Sequence, residues 1–459
     1  MAIASFVAQA LSVESNAGKL QSLIDNPAEV TDLTIGGTVD ASDLFFISDM
    51  MPALRVLDLS RADIQAYSGP RIGNATVWPA QMVPSGVFAG SGISTVILPA
   101  NGVLKLGDGV FTGSAITSAT IGSNISVVPV GTFAGCSKLE RITLSGPVVL
   151  EANALSDCTA LSSVAGSQYI TSIGSRAFAG CTALDKFSFG TMLVSIGDEA
   201  FVGAGLKTVD LSPASKLESV GDFAFASMPL LVNANLGSVV ELGRGVLFGC
   251  KALESATHNA TTVPDYAFSG NSAILADGLL PDGTESLGRY AMSGAAAISD
   301  ITLPESLVSL GDHAMEHTTG LKSITVSGTV VPELGSDVWH GIDQSKVNLN
   351  VLSGATSDFK NADQWCEFNI VSQSLSIDAV ADGVETLLRA RFVGDMLEVE
   401  SSDVDIRELA LYDPAGSRLT MVKPDATTVG VDCSSFSNRL YIVYARLADG
   451  TVATIKLAR

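Results

Sequence analysis

The sequence predicts two folds in one chain: a right-handed solenoid of short repeats, with a parallel β-sheet on one face and turns on the other, then an immunoglobulin-like β-sandwich. Three observations predict it. A large apolar residue returns every 21 to 24 positions across more than half of the chain, each return is followed by an L-x-x-I-x-L segment, and after residue 371 both signals give way to hairpin turns.

The anchor residues are Phe88, Phe111, Phe133, Leu155, Phe178, Phe201, Phe225, Leu247, Phe268, Met292, Met315 and Trp339. Five positions before each stands Ile, Val or Leu, usually followed by Gly, as in Ile173-Gly174, Ile196-Gly197, Val220-Gly221, Leu287-Gly288 and Leu310-Gly311, or by Pro, as in Val83-Pro84, Val128-Pro129 and Val263-Pro264. Glycine permits a positive φ and proline presets a turn, so the chain reverses there. After the anchor, Leu139-x-x-Ile142-x-Leu144, Leu184-x-x-Phe187-x-Phe189, Ile298-x-x-Ile301-x-Leu303 and Leu321-x-x-Ile324-x-Val326 end in the period-2 alternation of a half-buried strand. Each repeat therefore reads as one strand plus one return segment. About 23 residues close no core alone, so neighbouring units stack. Val30-x-x-Leu33-x-Ile35 and Leu54-x-x-Leu57-x-Leu59 carry the strand pattern without the anchor, adding two atypical coils after a cap around residues 1 to 29 and making fourteen coils.

The repeated pattern [IVL]-G-x-x-A-F-x-G-C-x-x-L-x-x-I-x-L, matched best at 173 to 189 and 310 to 326, resembles the BspA-like leucine-rich repeats of bacterial cell-surface proteins. It is strong over about 80 to 352 and weaker over 30 to 60, and five units depart from it at the anchor. The resemblance implies a leucine-rich-repeat solenoid in an extracellular or cell-surface protein that works by binding, often to proteins of a host or a neighbouring cell. The expected organisation is a cap with first coils over 1–79, the repeats over 80–371 and a sandwich over 372–459.

In the last part, LEVESSDVDIRELALYDPAGSRLTMVK places two strands around Asp413-Pro414-Ala415-Gly416, and RLYIVYARLADGTVATIKL two more around Asp449-Gly450, a type I′ signal. Short strands at this spacing argue a sandwich. The order of pieces also resembles the C-terminal sorting domains of type IX secretion cargo, at Leu409 to Arg418, Tyr441 to Val443 and Asp449 to Leu457, with Arg439-Leu440 where those domains have glycine.

Composition narrows the function classes. With 26 Lys+Arg against 48 Asp+Glu the net charge is −22, which argues against a nucleic-acid partner, since phosphate contacts need clustered cations. The 47% of hydrophobic residues suffice for a large core, yet no apolar run approaches the roughly 20 residues of a membrane span. The first Lys or Arg is Lys19, so the N-terminal stretch lacks the basic start of a signal peptide and reads as mature sequence.

The sharpest chemical motif is His313-Ala314-Met315-Glu316-His317, an H-x-x-E-H match to the inverted zincins, in which two histidines on a helix bind zinc and the glutamate activates water. A metal-dependent hydrolase through His313, Glu316 and His317 is the remote reading. The repeat supports the plainer one: Met315 is an anchor, His313 falls at a variable surface position, a coil of this length has room for barely one helical turn, and neither His258 nor His340 stands at an obvious third-ligand place. No G-x-S-x-G, P-loop or C-x-x-C occurs, and acid pairs such as Asp277 with Asp282 or Asp403 with Asp405 lack EF-hand spacing. The chain is expected to be non-enzymatic, with no cofactor and no resident metal.

Binding then falls to the outward strand positions. The last x of L-x-x-I-x-L reads Thr120, Thr143, Ala165, Ser188, Asp210, Asn235, Thr257, Thr302 and Thr325. Threonine also suits strands structurally and pairs well across them. The clustered charges are Glu140, Arg141, Asp185, Lys186, Lys207 and Asp210, the candidate residues for a protein partner. The alternative is a passive spacer that displays or anchors another module. Cys136, Cys158, Cys181 and Cys250 all lie three residues past an anchor and are expected to be free, inert thiols.

Overall fold

A computed structural model describes residues 9–373 and 388–458, apart from 240, 394, 403, 414–416 and 437–439. It divides into two compact units: Met1–Ile298 with Leu310–Gly320 and Val338–Gly341, and Ser299–Ser309 with Leu321–Asp337 and Ile342–Arg459. The fold is a leucine-rich-repeat β-solenoid of about 16 turns with a C-terminal β-sandwich. Two turns more than the expected fourteen arise at the ends. Gln9–Ser15 is already a strand, parallel to Val30–Val39, and Asn369–Gln373 runs parallel to Asn348–Leu352 without any anchor to announce it.

In the first unit, Gln9–Ser15, Val30–Val39, Val56–Ile64, Thr95–Ile97, Ser118–Ile121, Arg141–Leu144 and Ser163–Ala165 form one sheet. Thr208–Asp210, Asn233–Asn235 and Ser255–Thr257 form another. Between them residues 184–190 make no strand, against expectation. The cause is bulk. Phe187 and Phe189 replace the Ile and Leu of other coils, and their rings wedge edge-on against the anchors, Phe187 at 5.1 Å from Phe178 and 5.2 Å from Phe201, Phe189 at 5.6 Å from Phe201.

Each repeat also holds a second, shorter strand that the sequence reading missed. Val127–Val128, Val148–Leu150, Ile170–Ile173, Ser195–Ile196, Ser219–Val220 and Glu241–Leu242 pair in parallel through the residue five before the anchor. The following glycine does not have the positive φ expected of it. It is needed for close approach: a Cβ on Gly174 would lie 2.6 Å from the Glu151 carbonyl carbon, and one on Gly197 2.6 Å from the Ser175 nitrogen.

Positive φ appears instead two residues before and two residues after every anchor, as at Arg176 and Gly180 around Phe178. The alternation aims every second N–H at the next coil: Arg176 donates to Asp198 at 2.9 Å, Phe178 to Ala200 at 2.8 Å and Gly180 to Val202 at 2.9 Å. The same three bonds recur from coil to coil. They satisfy the return backbone without strands. The anchors themselves are at most 2% exposed and form one column, with Phe178, Phe201 and Phe225 stacked at 5.0 and 5.3 Å.

Buried polar groups serve the same stack. The thiols of Cys136, Cys158, Cys181 and Cys250 donate to the anchor carbonyls of the preceding coils, Phe111, Phe133, Leu155 and Phe225, at 2.9 to 3.2 Å, and Asn271 does so to Leu247 at 3.0 Å. A weak donor there explains cysteine better than size alone. Near the N-terminus, Asp40 caps the helix Ala41–Met50, while Asp43 accepts from the Gly18, Leu20 and Asp40 N–H groups.

In the second unit, Asp300–Leu303, Ser323–Val326, Asn348–Leu352 and Asn369–Gln373 form a parallel sheet. The sandwich follows as antiparallel sheets of three strands (Leu388–Val393, Met396–Ser401, Thr428–Asp432) and four (Arg418–Val422, Ile406–Tyr412, Leu440–Leu447, Val452–Ala458). Alternate residues fill its core, among them Leu397, Val399, Leu409, Leu411, Tyr441 and Val443. Tyr441, at the start of the sixth strand, sends its hydroxyl back to the Phe436 carbonyl at 3.2 Å, as in immunoglobulin-like folds. The last hairpin is not type I′. Only Gly450 has positive φ, Gly450 N–H bonds the Leu447 carbonyl at 3.0 Å, and Leu447 N–H bonds the Thr451 carbonyl at 2.8 Å, a type I turn closed by a glycine bulge. The Pro414-Ala415-Gly416 turn and Arg439 lie outside the described residues.

Candidate functional site

The outward face of the strands is polar and cross-linked in places by its own side chains, as where Asn235 bonds both Asp210 and Thr257. Arg141 opens the strand Arg141–Leu144 and stands opposite Ser118 and Ser163, with Glu140 just before it. Asp210 ends Thr208–Asp210 opposite Asn235, and Lys207 precedes that strand. Asp185 and Lys186 lie on the strandless stretch between. All six charged candidates are exposed, and among the described residues none forms an ion pair with another. They are thus not gathered into one site but spread across a broken sheet.

Asp210 alone is tied into the ladder that the sequence reading found. Its carboxylate accepts from Asn235 Nδ2 at 3.2 Å and from the Ser212 hydroxyl at 2.7 Å, while Thr257 donates to Asn235 Oδ1 at 3.3 Å. Beside this row Ser212, Asn235, Gly237, Ser238, Thr257, His258 and Asn259 line an open cleft of about 290 Å³. The cleft was missed because its walls come from loops after the strands, where no repeat position marks them. His258 is 4% exposed and lies 3.0 Å from the Leu279 carbonyl through Nε2, while Nδ1 accepts from the Ala260 N–H at 3.2 Å. Burial holds its pKa below the ordinary histidine value, which favours the neutral ring, and its two backbone bonds make it a core residue.

The H-x-x-E-H segment does not form the inverted-zincin helix. His313 and His317 sit two residues before and after the Met315 anchor, both at positive φ, 56° and 55°, in the return turn. Two histidines on one helical face are therefore absent here. His340, which its spacing had set aside, is nonetheless brought to this segment: it follows the Trp339 anchor of the next coil, its ring 5.5 Å from that of His317 and 6.4 Å from that of His313. The missed signal was repeat phase rather than linear spacing.

Comparison with known proteins decides the family. Six copies of the BspA type leucine rich repeat region match residues 79–165, 148–275 and 261–379, well over half of the chain. This chain belongs to the BspA-type leucine-rich-repeat family. A leucine-rich repeat protein from Bacteroides ovatus has the same fold with a TM-score of 0.52 at 15% identity, over 78% of this chain and 88% of its own. Weaker likenesses are a leucine rich cell surface protein from Faecalibacterium prausnitzii (TM-score 0.26, 16% identity, 56% and 86% covered) and the pneumococcal vaccine antigen PcpA (0.38, 15%, 70% and 85%). No curated protein matches the chain. Among the described residues no helix is long and apolar enough to cross a membrane.

Proposed function

We propose that this BspA-type repeat protein is a non-catalytic, secreted or cell-surface binding module that engages a protein of a host or neighbouring cell through its outward strand face. The observation that carries the reading is the exposure of Glu140, Arg141, Asp185, Lys186, Lys207 and Asp210 on a polar face where, among the described residues, their charges are not paired with one another. Dispersed, exposed polar groups suit an extended macromolecular contact better than a small ligand, which needs a concave pocket. The C-terminal sandwich, by its resemblance to sorting domains, serves export or display. One observation favours the spacer alternative: the candidate set contains a single arginine and no tryptophan or tyrosine, the residues that dominate tight interfaces.

The test immobilises the full chain and measures binding to a panel of matrix proteins and of surface proteins from neighbouring bacteria. A variant with the six charges reversed should lose at least tenfold in affinity for any partner found. Equal binding by the variant would place the interface elsewhere, and no binding across the panel would favour the spacer.

A further inference from the structure

We propose that Glu316, His317 and His340 form a site for one divalent transition metal, zinc by ligand chemistry, that clips two neighbouring coils together. A ligand atom from each lies within 4.8 Å of the others, with His317 Nε2 at 3.7 Å from Glu316 Oε1. Ligands bonded to zinc at roughly 2.1 Å in a tetrahedral shell stand about 3.4 Å apart. The donors are therefore near the required spacing, and both imidazoles are exposed. Imidazole with carboxylate suits zinc, and three protein donors leave one position open.

The repeat itself marks these residues as departures. The position after the anchor is small in most coils, for example Ala134, Ser156, Ala179 and Ser293, yet it becomes Glu316 and His340 in two successive coils. The position two after the anchor has positive φ throughout and is glycine in nine of the twelve coils, but here it is His317, an imidazole on a strained backbone. Room for that ring depends on the next coil, because a Cβ on Gly341 would meet His317 Nδ1 at 2.1 Å. Backbone contact already joins the pair, as His317 N–H donates to the His340 carbonyl at 2.8 Å.

Charge points the same way. The Glu316 side chain is only 16% exposed, and among the described residues the basic side chains within 4 Å of its carboxylate are the imidazoles of His313 and His317. His313 stacks on Tyr290 with centroids 4.7 Å apart and an interplanar angle of 5°, which fixes its ring. Its Nδ1 is buried, lies 3.8 Å from Glu316 Oε2 and has no hydrogen-bond partner. A cation bound at Glu316 would give this nitrogen a reason to face inward, as a fourth ligand or through a bound water.

The test is zinc titration of the tag-free full chain by calorimetry, with cobalt absorption as a readout of geometry. One equivalent is expected, together with a cobalt band in the visible typical of four-coordinate sites and a rise in melting temperature of about 3 °C at a hundredfold excess over Kd. Glu316→Ser, His317→Gly and His340→Ala restore residues that other coils use, so these variants should fold, and each should weaken binding at least tenfold. Less than half an equivalent of zinc, or equal affinity in the triple variant, would overturn the proposal and leave adventitious histidine binding only.

Discussion

Phe178 shows what one residue contributes. It is fully buried, stacked on Phe201 at 5.0 Å and met edge-on by Phe187. Phe178→Ala should cost about 3 to 5 kcal/mol, read by urea or thermal unfolding, and a shift under about 1 °C would remove it from the core. The anchors were legible because large apolar residues at a fixed period have no other use. The cysteines were legible only as copies of one position, since a hydrogen bond to a carbonyl one coil away leaves no mark in a single repeat. Burial pushes the thiols of Cys181 and Cys250 up to about 12 from an ordinary 9.0. Below pH 9 both states keep the proton. Between about 9 and 12 the unfolded chain loses it first, so stability should fall with rising pH by up to about 1.4 kcal/mol per unit for each thiol. Urea melts of Cys181→Ala/Cys250→Ala beside the parent chain should show a shallower decline.

Among elements, the helix Ala41–Met50 depends on an acid that no repeat pattern announces. Asp43 is 2% exposed and takes hydrogen bonds from Gly18, Leu20 and Asp40. Asp43→Ala should leave those donors unsatisfied and cost more than about 3 kcal/mol, seen as early loss of hydrogen-exchange protection over residues 18–50. The strands with Ile and Leu were read correctly because period-2 alternation reports burial. The same alternation failed at Phe187 and Phe189, where ring volume rather than polarity decides the backbone. The two-residue strands were illegible, as two residues carry no period. At the histidines, spacing along the chain suggested a helical motif, whereas the turn places His317 beside a residue 23 positions on.

For the whole molecule, residues 372–459 should form an independent core. The sandwich carries its own buried set, and the ion pair from Arg418 to Glu305 is partly exposed at both ends, worth less than about 1 kcal/mol. Expressed alone, this segment should give dispersed amide proton resonances, and a collapsed spectrum would refute the boundary.

The bonds between return segments have a direction. From Gly86 to His317 the N–H groups two residues before, at and two residues after the anchors point toward higher residue numbers, and the carbonyls that receive them point back. Strand dipoles largely cancel across a sheet, but these add. The solenoid edge thus behaves as a macrodipole laid across the coils instead of along a helix, its negative pole at the coil of Phe88, where among the described residues no earlier return segment donates to the carbonyls of Ser85, Val87 and Ala89. A positive charge belongs at that pole: Ser85→Lys should be more stable than Ser85→Glu by roughly 0.3 to 1 kcal/mol at low salt, and the gap should close as salt is added.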